Sequence, residues 1–154
     1  MKTRNQQASD PNIFVPTPVM FGKHESTEVV AQYRETPVAF ARNALGCDAQ
    51  WSIIEVAGYS DDLGDDATRE SISRERAEAV KAILVDSGVP EDRVLVVARG
   101  YEAPPGVVHG TIEKTKAEIE ISETQGSDSE EERLKDRLDQ VRRAYRQASV
   151  VAKP

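Results

Sequence analysis

Cysteine and histidine are almost missing from this sequence: Cys47 stands alone, and His24 and His109 lie far apart. One thiol excludes an internal disulfide, and neither histidine has a neighbour at zinc-ligand spacing, so both read as surface residues. Cys47 follows Gly46 near a helix end, where a small buried residue fits. Ser-His-Asp and Cys-His groupings, a P-loop and a dinucleotide fingerprint are all missing too, and the sequence reads as non-enzymatic with no cofactor and no metal. No run approaches the roughly 20 apolar residues that cross a bilayer, which excludes direct membrane insertion by a helix. The opening Met1–Asp10 has basic residues but no apolar segment behind them, so no signal peptide is visible. An excess of positive charge is missing as well: 20 Lys and Arg against 27 Asp and Glu give −7. That balance argues against nucleic acid and against an anionic membrane surface as partners.

The stretch from Val56 to Leu84 organises the rest. Ile53, Ile54 and Val56 form a short apolar run that Gly58 closes, a strand over Trp51–Gly58. Gly64 lies among Asp61, Asp62, Asp65 and Asp66, which is loop chemistry. These aspartates invite calcium, but their spacing is not that of an EF-hand and no glutamate closes the loop, so an acidic solvated turn is favoured. From Ser73 the period becomes helical: Ala77, Val80, Ile83 and Leu84 share one face, with Arg74, Glu75, Glu78 and Lys81 away from it. Ser73 reads as the N-cap, and Gly88-Val89-Pro90 as the stop. Asp61 therefore leaves the carboxyl end of a strand, and Arg76 falls in the first turn of the next helix. Ligands gather where strand ends meet helix starts. Arg76 suits a carboxylate and Asp61 an ammonium, so the pair fits a zwitterion such as the free end of an amino acid. The alternative is an internal ion pair that fixes the loop.

Elsewhere, residues 1–12 read as a flexible N-terminal arm. Ile13–Gly22, interrupted by Pro16 and Pro18, reads as an edge strand. Val30, Tyr33, Pro37, Phe40, Ala41 and Ala44 set a helical stripe over Thr27–Leu45, with Thr36-Pro37 able to restart the helix. Arg93–Arg99 reads as a buried strand and Gly100–Gly110 as a loop. In Thr115–Ser122, Ala117, Ile119 and Ile121 alternate with Lys116, Glu118 and Glu120, the pattern of a half-solvated strand. After a linker at 123–130, residues 131–154 carry a heptad seam of Leu134, Leu138, Val141, Tyr145, Ala148 and Ala152. Such a helix either docks on its own sheet or associates with a second copy or a protein partner.

The motifs resemble those of a known family. Gly58-Tyr59-Ser60-Asp61, Gly64, Ile72-Ser73-Arg74-Glu75-Arg76-Ala77, Gly88-Val89-Pro90 and Gly100-Tyr101-Glu102 follow one another as in OmpA-like peptidoglycan-binding domains. The resemblance covers Ile13 to Ser122 in outline and is specific between Ile53 and Tyr101. It implies an α+β fold: a β-α-β-α-β-β two-layer sandwich over 13–122, with a mixed sheet, helices on one face, and the C-terminal helix added. It also implies a wall anchor in the periplasm-facing cell envelope. Its partner is the peptidoglycan stem peptide, whose diaminopimelate is gripped by Asp61 and Arg76 with help from Ser60, Ser73 and Lys116. The chain departs from the family pattern in three places. Arg69 stands for an asparagine. Lys114-Thr115-Lys116-Ala117 stands for the Asn-Arg-Arg-Val that opens the last strand, trading an arginine contact for lysine. The turn after Gly100 is one residue short. Together with the missing signal segment, these departures support a second reading, a structural assembly protein that keeps the fold without binding wall.

Overall fold

A computed structural model of the chain describes residues 12–47, 50–126 and 128–154. The elements are β1 (Thr17–Met20), a 3-10 turn (Ala31–Tyr33), α1 (Glu35–Gly46), β2 (Ile53–Gly58), α2 (Asp66–Asp86), a second 3-10 turn (Glu91–Arg93), β3 (Val94–Ala98), α3 (Thr111–Gln125), α4 (Asp128–Tyr145) and β4 (Gln147–Lys153). The sheet order is β1-β4-β2-β3. β4 runs antiparallel to both neighbours, while β2 and β3 are parallel. A parallel pair needs a crossover, and α2 supplies it. The fold is the α+β arrangement expected, a mixed four-stranded sheet with helices.

The core forms where the sheet meets α1 and α2. Val96, Val56 and Val150 lie in register across three strands. Val56 and Val150 pack in the core with Phe40, Ala41 and Ala44 of α1 and with Ala77, Val80 and Leu84 of α2. Gly58 sets how closely α2 approaches: a Cβ there would lie 1.8 Å from the Ser73 carbonyl oxygen. At the far end of α2, Gly88 takes φ +111 and Val89 N donates to Leu84 O, which closes the last turn and buries Val89.

Several boundaries differ from the sequence expectation. α2 begins at Asp66, capped by Asp65, whose carboxylate accepts from Thr68 N at 2.8 Å. Its first turn and a half carries no apolar stripe, which is why periodicity alone starts the helix at Ser73. Arg76 accordingly sits in the third turn, away from the free N–H groups. The Thr27–Leu45 stripe splits into two pieces, the 3-10 turn and α1, and Pro37 falls in the first turn of α1, where its missing N–H costs nothing.

The segment read as a strand over Thr115–Ser122 is helical and belongs to α3. Its buried residues, Ile112, Thr115, Ile119 and Ser122, step by three, four and three, while Ile121 is 56% exposed. The stretch expected as a linker at 123–130 is mostly helical: 123–125 close α3, Gly126 caps it in a left-handed conformation, and 128–130 open α4. The helix expected over 131–154 ends at Tyr145. Ala148, Val150 and Ala152 instead alternate on the core face of β4, the second strand in the sheet order. The folded unit expected at 13–122 therefore extends through Lys153. Of the N-terminal arm, residues 1–11 lie outside the described residues, and Asn12 is exposed.

Candidate functional site

Beyond the carboxyl end of β2 the chain turns through residues 59–65 before α2, and each of the four aspartates finds its own partner. Asp61, with no exposed surface, accepts on Oδ1 from His24 Nδ1 at 2.8 Å and Leu63 N at 3.0 Å, and on Oδ2 from Arg146 Nε at 2.8 Å. Asp62 accepts from Arg142 Nε and Nη2 at 2.8 and 3.1 Å, and pairs with Lys116 of α3. Asp65 caps α2, and Asp66 pairs with Arg69. Among the described residues no group of three or more acidic, histidine or cysteine side chains is arranged to hold a metal ion.

Arg76 reaches the same mouth from α2 and is also without exposed surface. Its Nη1 donates to Tyr59 O at 2.9 Å and its Nε to Ser26 O at 2.9 Å. Its Nη2 donates to Lys23 O and His24 O at 2.8 and 2.9 Å. Phe21 lies 5.3 Å from the guanidinium carbon. Burial draws the arginine down to about 10, against the charge of Asp61 and with that of Arg146, so it remains a cation at neutral pH. Residues 22–28 form a strap across the mouth, tied at its neck by the Phe21–Val29 bridge. Both Asp61 and Arg76 are held beneath it.

The other expected site residues support this mouth. Ser60 is buried, and its hydroxyl donates to Asp61 O at 3.0 Å. Ser73 is an interior residue of α2 and not a cap: its Oγ donates to Glu70 O and accepts from Gly100 N at 3.0 Å, fixing the loop after β3. Lys116 meets Asp62 and not Asp61, with its side chain 46% exposed. Arg69, where the family pattern has asparagine, donates from Nη1 to Asp62 O and Gly64 O and so braces the acidic loop.

Three residues at the mouth escaped sequence reading. The last strand is opened by Tyr145-Arg146-Gln147-Ala148, not by Lys114-Thr115-Lys116-Ala117, so an arginine contact is kept, in Arg146. Arg142 in the last turn of α4 and Arg146 just beyond the helix take Asp62 and Asp61 respectively. Their signal was an arginine just ahead of the Ala148-Val150-Ala152 alternation. The third is His24, for which spacing gave no signal. At this mouth a buried carboxylate and a buried guanidinium lie under one strap, with both oxygens of Asp61 and all three guanidinium nitrogens of Arg76 engaged by protein groups.

A profile of the OmpA family matches residues 23–119. The peptidoglycan-associated lipoprotein of Burkholderia pseudomallei has a similar fold, with TM-score 0.60 and 20% identity over 88% of this chain and 89% of that one. The C-terminal domain of Helicobacter pylori MotB gives 0.59 at 15% identity, over 90% and 86% of the two chains. The OmpA-like domain of FopA1 from Francisella tularensis gives 0.56 at 16%, over 89% and 71%. In sequence, outer membrane porin F of Pseudomonas fluorescens is 41% identical over 51 residues, which is 33% of this chain and 16% of the porin.

Proposed function

We propose, from the fact that this chain belongs to the OmpA family, that it is a non-catalytic domain that associates with peptidoglycan in the cell envelope. The Burkholderia lipoprotein that shares its fold is named for that association. In this reading the zwitterionic end of the stem peptide, that of diaminopimelate, sets its ammonium against Asp61 and its carboxylate along Arg76. Ser60 and Ser73 hold the flanking loops, and Lys116 stands beside the mouth on Asp62. The observation that carries the reading is that Asp61 and Arg76 converge where β2 gives way to α2, near enough that both hydrogen-bond to one residue, His24. The second reading, an assembly protein that keeps the fold without wall binding, draws on the burial of both side chains.

Sedimentation with purified wall sacculi separates the two. The wild-type protein is expected in the pellet, and Asp61→Asn, folded by circular dichroism, in the supernatant. Losing the charge should cost on the order of 2–5 kcal/mol of binding, as for a desolvated ion pair. Wild-type protein that stays in solution leaves the assembly reading standing.

A further inference from the structure

We infer that His24 and the strap that carries it occupy the zwitterion site in the ligand's stead, so that ligand binds by displacing them. The inference rests on the peptidoglycan reading above. One residue touches both halves of the site: the His24 imidazole donates to Asp61 Oδ1, and the His24 carbonyl accepts from Arg76 Nη2. A donor nitrogen on the aspartate and an acceptor oxygen on the arginine are what an amino-acid terminus would present. The carbonyl of Ser26 on Nε completes the imitation. Nε and Nη2 form the edge of a guanidinium that a carboxylate takes in a two-point contact. The strap thus fills that edge with neutral carbonyls, and a carboxylate there would bind through stronger, charge-assisted bonds.

The strap is built to move as a unit. Its neck is fixed by the Phe21–Val29 bridge and by Val30 N on Met20 O, while Ser26 N to Lys23 O, at 3.1 Å, braces it from within. Arg146 Nη1 adds a hold on Gly22 O at 3.1 Å. Its contacts with Asp61 and Arg76 are hydrogen bonds to the very groups a ligand would use, so opening exchanges one set of partners for another. The His24 side chain, itself 21% exposed, lies against a fully buried Asp61.

Removing the imidazole should raise the open fraction and tighten apparent binding in proportion, about three- to tenfold. Calorimetric titration of a diaminopimelate-containing muropeptide into wild type, His24→Ala and Lys23→Ala measures this. Tighter binding by His24→Ala alone supports the inference, as does binding by that variant where wild type shows none. Equal or weaker binding by a folded His24→Ala protein, with wild type binding, overturns it and leaves the peptidoglycan reading intact. No binding by any of the three sinks both. Hydrogen exchange gives an independent arm: amides 23–26 should exchange faster in the complex, and their protection by ligand refutes displacement.

Discussion

Asp62 holds cations from two helices, Arg142 of α4 and Lys116 of α3, with its own side chain 5% exposed. Burial alone would raise its pKa; the bonds and charges of the two cations outweigh that and bring it from 3.8 to about 2. The folded-state value lies below the unfolded one, so the stabilisation is present above about pH 4 and is lost as pH falls towards 2. Asp62→Asn should therefore lose roughly 1–2 kcal/mol at pH 7. It should also show a flatter decline in stability between pH 4 and 2 than wild type. Urea unfolding at three pH values checks this, and parallel declines would remove the ion cluster as the cause. At this scale the sequence revealed Asp61 and Arg76, because a local motif carries both. It hid Arg146 and Arg142, which lie 85 and 80 positions further along the chain than the aspartates they meet.

Among the elements, β2, α2 and β3 were readable because period and stop signals agree over Ile53–Ala98. The errors cluster where two periods share steps. Ala148 and Ala152 are four apart, one helical step or two strand steps, and only Val150 between them separates the cases. Ala117, Ile119 and Ile121 mimic a strand, yet Ile112 and Thr115 place Ile119 on a helical face. The β2–α2 junction depends on a missing side chain. Gly58→Ala would put a methyl group into the α2 backbone at Ser73, a contact no rotamer relieves. Overpacking of this kind costs typically 1–3 kcal/mol, and this site should lie at or above the upper end. Denaturant titration reads it directly; a loss below about 0.5 kcal/mol, the scale of an ordinary surface change, would mean that helix and strand are not in contact there.

For the molecule as a whole, α3 and α4 form a hairpin inserted between β3 and β4, packed mainly on one another. Its base is fastened by the Asp62 cluster, by the bond from Tyr101 to Glu113, and by the Tyr101–Tyr145 ring contact at 5.3 Å. Its far end has mostly charged, exposed residues around Ile119 and Leu134. Amide exchange at 118–135 should accordingly run faster than in the buried face of α2, whereas uniform protection would show the hairpin and sheet opening together. The strand that joins β1 to β2 also follows this hairpin in the chain, pairing Thr17 with Val150 and Val56 with the same Val150. On the ribosome, three strands therefore emerge before the one that stitches them, and both hydrogen-bonding margins wait bare until it arrives. Truncation ahead of Gln147 would thus leave Thr17–Met20 with no strand to sit beside among the described residues.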